Sequence, residues 1–178
     1  VVVVTSDATL PMLRPYGIPL DRIVVVEPGT DRAPLARGSK SHERNDDAPV
    51  RMLCVATINA IKNHAGLIEA LSMLGHRQWH LTCAGSLTRD PATVDRVRRQ
   101  ITNLQLEDRI SLVGELDEAS LDAEYDRSDL FVIATLQETY GMAVAEALAR
   151  GLPVIGTRTG AIPALVGDEA GALVTPGD

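Results

Sequence analysis

Aromatic residues make up only 3% of this 178-residue chain: one tryptophan, three tyrosines and one phenylalanine. That leaves little with which to stack the bases of a nucleic-acid strand. A formal charge of −7 also excludes capture of a polyanion by the general field of the protein, so any phosphate must be held locally, by a few well-placed donors. No apolar run approaches the ~20 residues that cross a bilayer. The opening "VVVVTSDAT" is short and lacks the basic flank of a secretory signal. It also lacks an initiating methionine, which suggests a fragment or a processed product. Cysteine is limited to Cys54 and Cys83, each inside an apolar, strand-like run ("RMLCVAT" and "WHLTCAG"). With no CxxC they read as buried free thiols rather than zinc ligands, and they imply a reducing, cytoplasmic compartment. Lysine is scarce as well, two against fifteen arginines.

What is present is a rhythm. Short β-branched runs, expected as strands at Val1–Thr5, Ile23–Val26, Met52–Ala56, His80–Ala84, Ile110–Val113, Leu130–Ala134, Pro153–Gly156 and Ala172–Val174, alternate with amphipathic stretches. The latter predict helices over Asp7–Tyr16, His64–Leu74, Ala92–Leu104, Glu118–Arg127, Met142–Arg150 and Ile162–Val166. Asn63 is placed to cap the second of these, Pro91 suits a first turn, and Gly151 with Pro153 closes the helix before them. Strand-then-helix repetition with apolar strands predicts an α/β fold, a parallel sheet covered by helices, with ligands at the carboxyl ends of the strands. The polar, proline-bearing stretch "PGTDRAPLARGSKSHERNDDAP" interrupts the rhythm and reads as a linker or long surface loop.

The densest chemistry lies in "ETYGMAVAE", Glu138 to Glu146. Glu138 is expected in the loop after the strand Leu130–Ala134, Gly141 at a helix start, and Glu146 within the first two turns of that helix. A helix mouth offers unpaired N–H groups and partial positive charge, which suit a phosphate. Carboxylates suit vicinal hydroxyls, because each accepts two hydrogen bonds. The pattern fits a ligand with hydroxyls at both ends and phosphates between. Spacing alone fits better still a solvated loop glutamate and a glutamate favoured by the helix dipole.

The block "ATLQETYGMAVAEALARGLPVIGTRTGAIPALVGDEAGALVTPGD" resembles the donor-binding region of the retaining, nucleotide-sugar-dependent glycosyltransferases of the GT-B fold (glycosyltransferase family 4, group 1). "VATINAIKNHAGLIEAL", "LTCAGS" and "ISLVGELDEASLDAEYDRSDLFVIAT" continue the resemblance upstream. "VVVVTSDATLPMLRPYGIPLDRIVVVEPGTD" is similar to the end of the family's N-terminal domain and the crossover from it. The resemblance implies a Rossmann-like doubly wound sheet, the C-terminal half of a GT-B fold. Residues 1–30 would be the tail of the acceptor domain, 31–49 a linker, and 50–178 the donor-binding domain.

Carried over by motif, the resemblance gives Glu138 the hydroxyls of the donor sugar and Glu146 those of the ribose. Backbone amides around Gly141, Met142 and Ala143 would meet the sugar and diphosphate. Lys62, in "AIKNH", would neutralise the diphosphate as it leaves; otherwise it is an exposed residue ahead of a helix cap. Gly85 and Ser86 would approach the nucleotide or simply make a strand-to-helix turn, and Val113–Leu116 would offer main-chain groups to the base edge. His64 is expected as a phosphate contact or a solvated first-turn histidine, and Trp79 as packing. The family's usual arginine is replaced by Thr57 or Ile61, its phenylalanine by Tyr140, and later family positions by Ala161 and Ala164.

The implied reaction moves a hexosyl group from a nucleoside diphosphate sugar to an acceptor hydroxyl, on a lipid or saccharide, with retention and without a metal or other cofactor. The acceptor side and a final crossing helix are expected outside this sequence, and through such an N-terminal domain the cytoplasmic protein would sit peripherally on a membrane. The fragment is therefore expected to bind donor weakly and to lack turnover alone. The alternative is a non-catalytic nucleotide-binding or interaction domain of the same fold. There is no GxGxxG after the first strand, no GxxxxGK[ST] and no GxSxG to suggest a dehydrogenase, a P-loop enzyme or a serine hydrolase.

Overall fold

A computed structural model describes residues 1–39, 49–75 and 77–177. Two parallel sheets organise them. Strands β1 (Val2–Val4) and β2 (Ile23–Val25) pair only with each other. The remaining strands are β3 (Val50–Val55), β4 (Trp79–Ala84), β5 (Ile110–Gly114), β6 (Leu130–Ile133), β7 (Val154–Thr157) and β8 (Gly171–Val174). They form one six-stranded sheet in the order β5-β4-β3-β6-β7-β8, parallel throughout.

Both faces of this sheet are covered, as all-parallel pairing requires. Helices α2 (His64–Ser72) and α3 (Pro91–Asn103) pack Ile68, Leu71, Val94, Val97 and Ile101 against Met52, Cys54, Leu81 and Cys83. Helices α4 (Glu118–Arg127), α5 (Met142–Ala149) and α6 (Ile162–Val166) pack Tyr125, Val144, Ala147, Ile162 and Val166 against Leu53, Phe131 and Val154. Successive residues of β3 serve opposite faces: Met52 and Cys54 one core, Leu53 and Val55 the other. This is why its sequence is an apolar run rather than an alternation. Each such fully buried side chain stabilises the fold by about 2 kcal/mol through removal of apolar surface from water. Both cysteines are buried and free.

Helix caps follow the sequence closely. Asn63 adopts a left-handed conformation and accepts from the Gly66 amide, while Asp90 and Asp117 accept from the amides of Thr93 and Ser120. The expected helix Asp7–Tyr16 is instead broken into 3-10 turns at Asp7–Thr9 and Arg14–Tyr16 flanking a single α-turn, α1 (Leu10–Leu13). Pro15 is the cause, since it offers no N–H and its ring excludes the carbonyl four residues back.

Part of the expected linker is a strap. The Ala36 amide donates to the Arg150 carbonyl at 2.8 Å, the Gly38 amide to the Asp126 carbonyl at 2.8 Å, and Ser39 Oγ to Asp129 Oδ2 at 2.6 Å. Arg37 pairs with Asp126 and holds that carboxyl below the usual carboxylate range. Residues 40–48 of the linker lie outside the described residues. No helix among the described residues is long and apolar enough to cross a membrane.

Candidate functional site

All six strands of the large sheet point the same way, so their carboxyl ends share one edge. Chain connections run outward in one direction from β3 (to β4, then β5) and in the other from β6 (to β7, then β8). Between β3 and β6 the winding reverses, the place along the edge where open α/β sheets bind ligands. Lys62 lies on the loop after β3 and Glu138 on the loop after β6, and at this reversal they meet. Lys62 Nζ is 2.5 Å from Glu138 Oε2, with side-chain exposures of 24% and 14%.

Local structure holds each member in place. Asn59 Oδ1 accepts from the Lys62 amide at 2.9 Å, making a turn that presents the lysine. The Thr139 amide donates to Glu138 Oε1 at 3.0 Å. The Ile61 carbonyl accepts from the Leu136 amide at 2.8 Å and from Thr135 Oγ1 at 3.3 Å, tying the two loops together. Beneath them Thr157 Oγ1 donates to the Thr135 carbonyl at 2.5 Å, and Thr135 Oγ1 donates to the Gln137 carbonyl at 2.8 Å.

Helix α5 opens beside Glu138. Gly141 is its N-cap at φ 101, with no side-chain cap, and its carbonyl accepts from the Val144 and Ala145 amides. The amides of Met142 and Ala143 have no hydrogen-bond partner among the described residues, so two donors remain for a ligand. The positive φ already favours glycine here, and a Cβ on Gly141 would lie 3.3 Å from Ile162 Cγ1, 3.6 Å from Leu165 Cδ1 and 3.7 Å from Glu138 Cγ, between α6 and the acid.

Glu146 lies one turn further along α5. It lines a cavity of about 320 Å³ with Met142, Glu118, Asp122, Arg150 and residues 29–34. Tyr125 Oη donates to Glu146 Oε2 at 3.1 Å, and Arg150 stacks over the Tyr125 ring at 4.5 Å while pairing with Asp122. Burial, reinforced by the Glu146 charge, pushes the Tyr125 phenol well up, so it remains a hydrogen-bond donor. The structure thus brings Lys62, Glu138 and the α5 mouth together. It places Glu146 in the adjoining cavity, with Met142 at the junction.

The other expected residues divide. Val113 lies near the end of β5 where the register with β4 shifts: Cys83 faces Leu112 and Ala84 faces Gly114, so Val113 has no partner opposite. Such a bulge frees main-chain groups at the ligand edge. Gly85 is fixed by packing, because a Cβ there would lie 2.1 Å from the Ala56 carbonyl oxygen, on the neighbouring loop. His64 is not a solvated first-turn residue. It is 1% exposed, with Nε2 3.8 Å from Cys54 Sγ and Nδ1 without a partner among the described residues, because α2 turns it into the core under the Lys62 loop. Trp79 is buried as the first residue of β4, with the Arg109 guanidinium 5.2 Å from the ring centroid.

Sequence reasoning missed the supports: Thr135, Thr157, Tyr125, Arg150, Ser6 and Gly160. The threonines had a signal, since "VIAT" and "VIGT" both end apolar strands on a hydroxyl, where a side chain can bind the loop that follows. The others act across the chain and leave no local trace.

A model of the family described as "Glycosyl transferases group 1" matches residues 38–178. The D-inositol 3-phosphate glycosyltransferase of Corynebacterium glutamicum is 28% identical over 182 aligned residues, which cover 96% of this chain and 44% of that protein. The chain therefore spans less than half the length of this curated relative. Among solved structures, the C-terminal domain of a group 1 family glycosyl transferase from Francisella tularensis superposes with a TM-score of 0.69 at 24% identity, over 84% of this chain and 82% of that one. Anabaena HepE in complex with UDP-glucose gives a TM-score of 0.84 at 22% identity, over 100% of this chain and 50% of that one. At those identities the two structures establish the fold, a Rossmann-like half of the GT-B architecture.

Proposed function

The chain belongs to the group 1 glycosyl transferases, and on that premise we propose that it is the donor-binding half of a retaining hexosyltransferase that uses a nucleoside diphosphate sugar. The observation that carries this reading is the Lys62–Glu138 pair at the winding reversal, beside two unpartnered amides at the α5 mouth. A pyrophosphate placed there meets one cation and two oriented N–H donors. Lys62 leaves Glu138 for the phosphate, and the released carboxylate accepts from hydroxyls of the sugar. Glu146, in its adjoining cavity, takes the ribose, and the main chain at Gly85 and Val113 borders the base. In HepE, solved with UDP-glucose, the same fold carries a ligand of this class.

In the reaction the bond from the anomeric carbon to the diphosphate oxygen breaks and a bond to the acceptor oxygen forms. The acceptor proton passes to the leaving phosphate oxygen on the same face. Charge accumulates on the departing diphosphate, which Lys62 and the α5 amides stabilise without a metal. Residues 50–178 form the donor domain in this scheme, residues 1–30 are the tail of an acceptor domain, and 31–49 connect them. The acceptor, a lipid or saccharide hydroxyl, binds the remainder of a longer protein, so this chain alone binds donor without turnover. The two buried free thiols support a reducing, cytoplasmic setting.

Calorimetric titration with UDP, GDP, UDP-glucose and GDP-mannose tests this, with Lys62→Ala and Glu146→Ala as controls. Micromolar to millimolar binding lost in both variants supports the donor site. Binding that survives both, or sugar transfer by this chain alone, contradicts it. One observation favours the second reading, a non-catalytic interaction domain: Lys62 is already neutralised by Glu138. Absence of binding to all four ligands selects it.

A further inference from the structure

Ser6 stands at the N-cap position of the 3-10 turn Asp7–Thr9, where a serine hydroxyl ordinarily accepts from a turn amide, yet it makes no side-chain cap. Its Oγ donates to the Thr139 carbonyl at 2.7 Å, 133 residues away, and can accept from Thr9 Oγ1 at 3.3 Å, and Ser6 is 3% exposed. The same carbonyl accepts from the Ala161 amide at 3.2 Å. The Thr139 amide, on the other side of that residue, donates to Glu138 Oε1 at 3.0 Å. Thr139 is thus a coupler: its carbonyl is held by Ser6 and Ala161, and its N–H holds the carboxylate. A second contact reinforces the seating, with Gln137 Nε2 donating to Met12 Sδ at 3.9 Å.

We propose that Ser6 is a positioning residue for the donor sugar: through Thr139 it fixes the Glu138 carboxylate, and so it sets affinity for the sugar but not for the nucleoside diphosphate. The inference rests on the donor-site reading of Glu138. Its physical basis is that the Ser6 hydroxyl is buried and that its bond spans two parts of the chain, β1–β2 and the large sheet, that share no strand pairing. Thr139 itself is exposed, so water replaces part of the bond when the hydroxyl is lost but not its fixed position. The Glu138 loop then keeps its Ala161 and Lys62 contacts but gains freedom on the Ser6 side. Affinity for the phosphates, which Lys62 and the α5 amides supply, is left alone.

The experiment compares UDP with UDP-glucose, and GDP with GDP-mannose, by calorimetry on this chain and its Ser6→Ala and Ser6→Cys variants. The expected result is a nucleoside diphosphate Kd unchanged within about twofold and a sugar-nucleotide Kd raised about 3- to 10-fold, the range of one net hydrogen bond. In a Glu138→Ala background the Ser6 substitutions should have no further effect on that ratio. Equal weakening of both ligands, an unchanged ratio, or a Ser6 effect that persists without Glu138 overturns the inference while leaving the donor site standing. If the unaltered chain binds none of the four ligands, the donor-site reading itself fails and takes this inference with it. Ser6→Cys keeps the size of the side chain and provides the measurement where Ser6→Ala does not fold.

Discussion

Lys62 Nζ and Glu138 Oε2 are 2.5 Å apart at the one place along the sheet edge where the winding reverses. A lysine engaged this way is not free for phosphate. Glu138→Gln removes the competing charge and leaves the lysine and the α5 amides intact. A half-buried pair of this kind is worth about 1 kcal/mol, so UDP affinity should rise up to about fivefold. UDP-glucose affinity should fall relative to it, because the glutamine accepts fewer hydroxyl bonds. Calorimetry reads both, and a weaker Kd for UDP in this variant would show that the pair does not compete with the diphosphate.

Gly160 defines how closely α6 approaches the acid. It stands at φ 57, and a Cβ there would lie 2.1 Å from the Glu138 carbonyl oxygen and 2.6 Å from its carbon. Backbone cannot yield as a flexible side chain can. Gly160→Ala should cost about 2 kcal/mol or more in urea denaturation, and should lower UDP-glucose affinity more than UDP affinity. Gly167→Ala serves as the comparison. It shares a positive φ of 58 but has nothing within 4 Å of the added carbon, so it should show strain without the effect on ligand.

Tyr125 provides a pH dependence. Burial, then the Glu146 charge, raises its phenol well above the usual tyrosine value in the folded chain. The unfolded chain releases that proton near pH ~10, while the folded chain retains it. Tyr125 therefore contributes stability that is fully present below pH ~10 and is lost as pH rises above it. Tyr125→Phe, which keeps the ring stacked on Phe131, should show a shallower decline of Tm between pH 9 and about 11. An identical decline in both proteins would exclude Tyr125 as its source.

The fold was legible because its signals are local. Apolar β-branched runs, an asparagine before α2, a proline opening α3 and a glycine closing α5 each act within a few residues, and their elements lie within one or two positions of expectation. The spacing of Glu138, Gly141 and Glu146 fits a solvated loop acid and a helix-dipole acid as well as a ligand site, and the structure places Glu138 beside Gly141 with Glu146 further along α5. The reasons for the glycines were not legible. Gly141 and Gly85 look alike in sequence as ligand-approach glycines, yet one is required by a positive φ against α6 and the other by the Ala56 backbone on an adjacent loop. His64 reads as a first-turn residue exposed to water, and only the packing of α2 on β3 reveals that it faces Cys54. Long-range contacts such as Ser6 with Thr139 have no periodicity to betray them.

Two threonines show how the core reaches the site. Thr157 Oγ1 donates to the Thr135 carbonyl at 2.5 Å, and Thr135 Oγ1 reaches the carbonyls of Gln137 and Ile61 on the two loops that carry Glu138 and Lys62. Both residues are buried, so water does not substitute for a lost partner. Thr157→Val keeps the shape and leaves the Thr135 carbonyl without its donor, at a cost of about 1–3 kcal/mol. Thr135→Val removes the one hydroxyl proton that the Gln137 carbonyl at 2.8 Å and the Ile61 carbonyl at 3.3 Å share, and should cost a similar amount while also weakening UDP-glucose binding. The two substitutions act on one chain of hydrogen bonds, so the double variant should fall short of the sum by at least about 0.5 kcal/mol. Additive losses in chemical denaturation would mean that the threonines support their strands separately and do not carry core packing to the Glu138 loop.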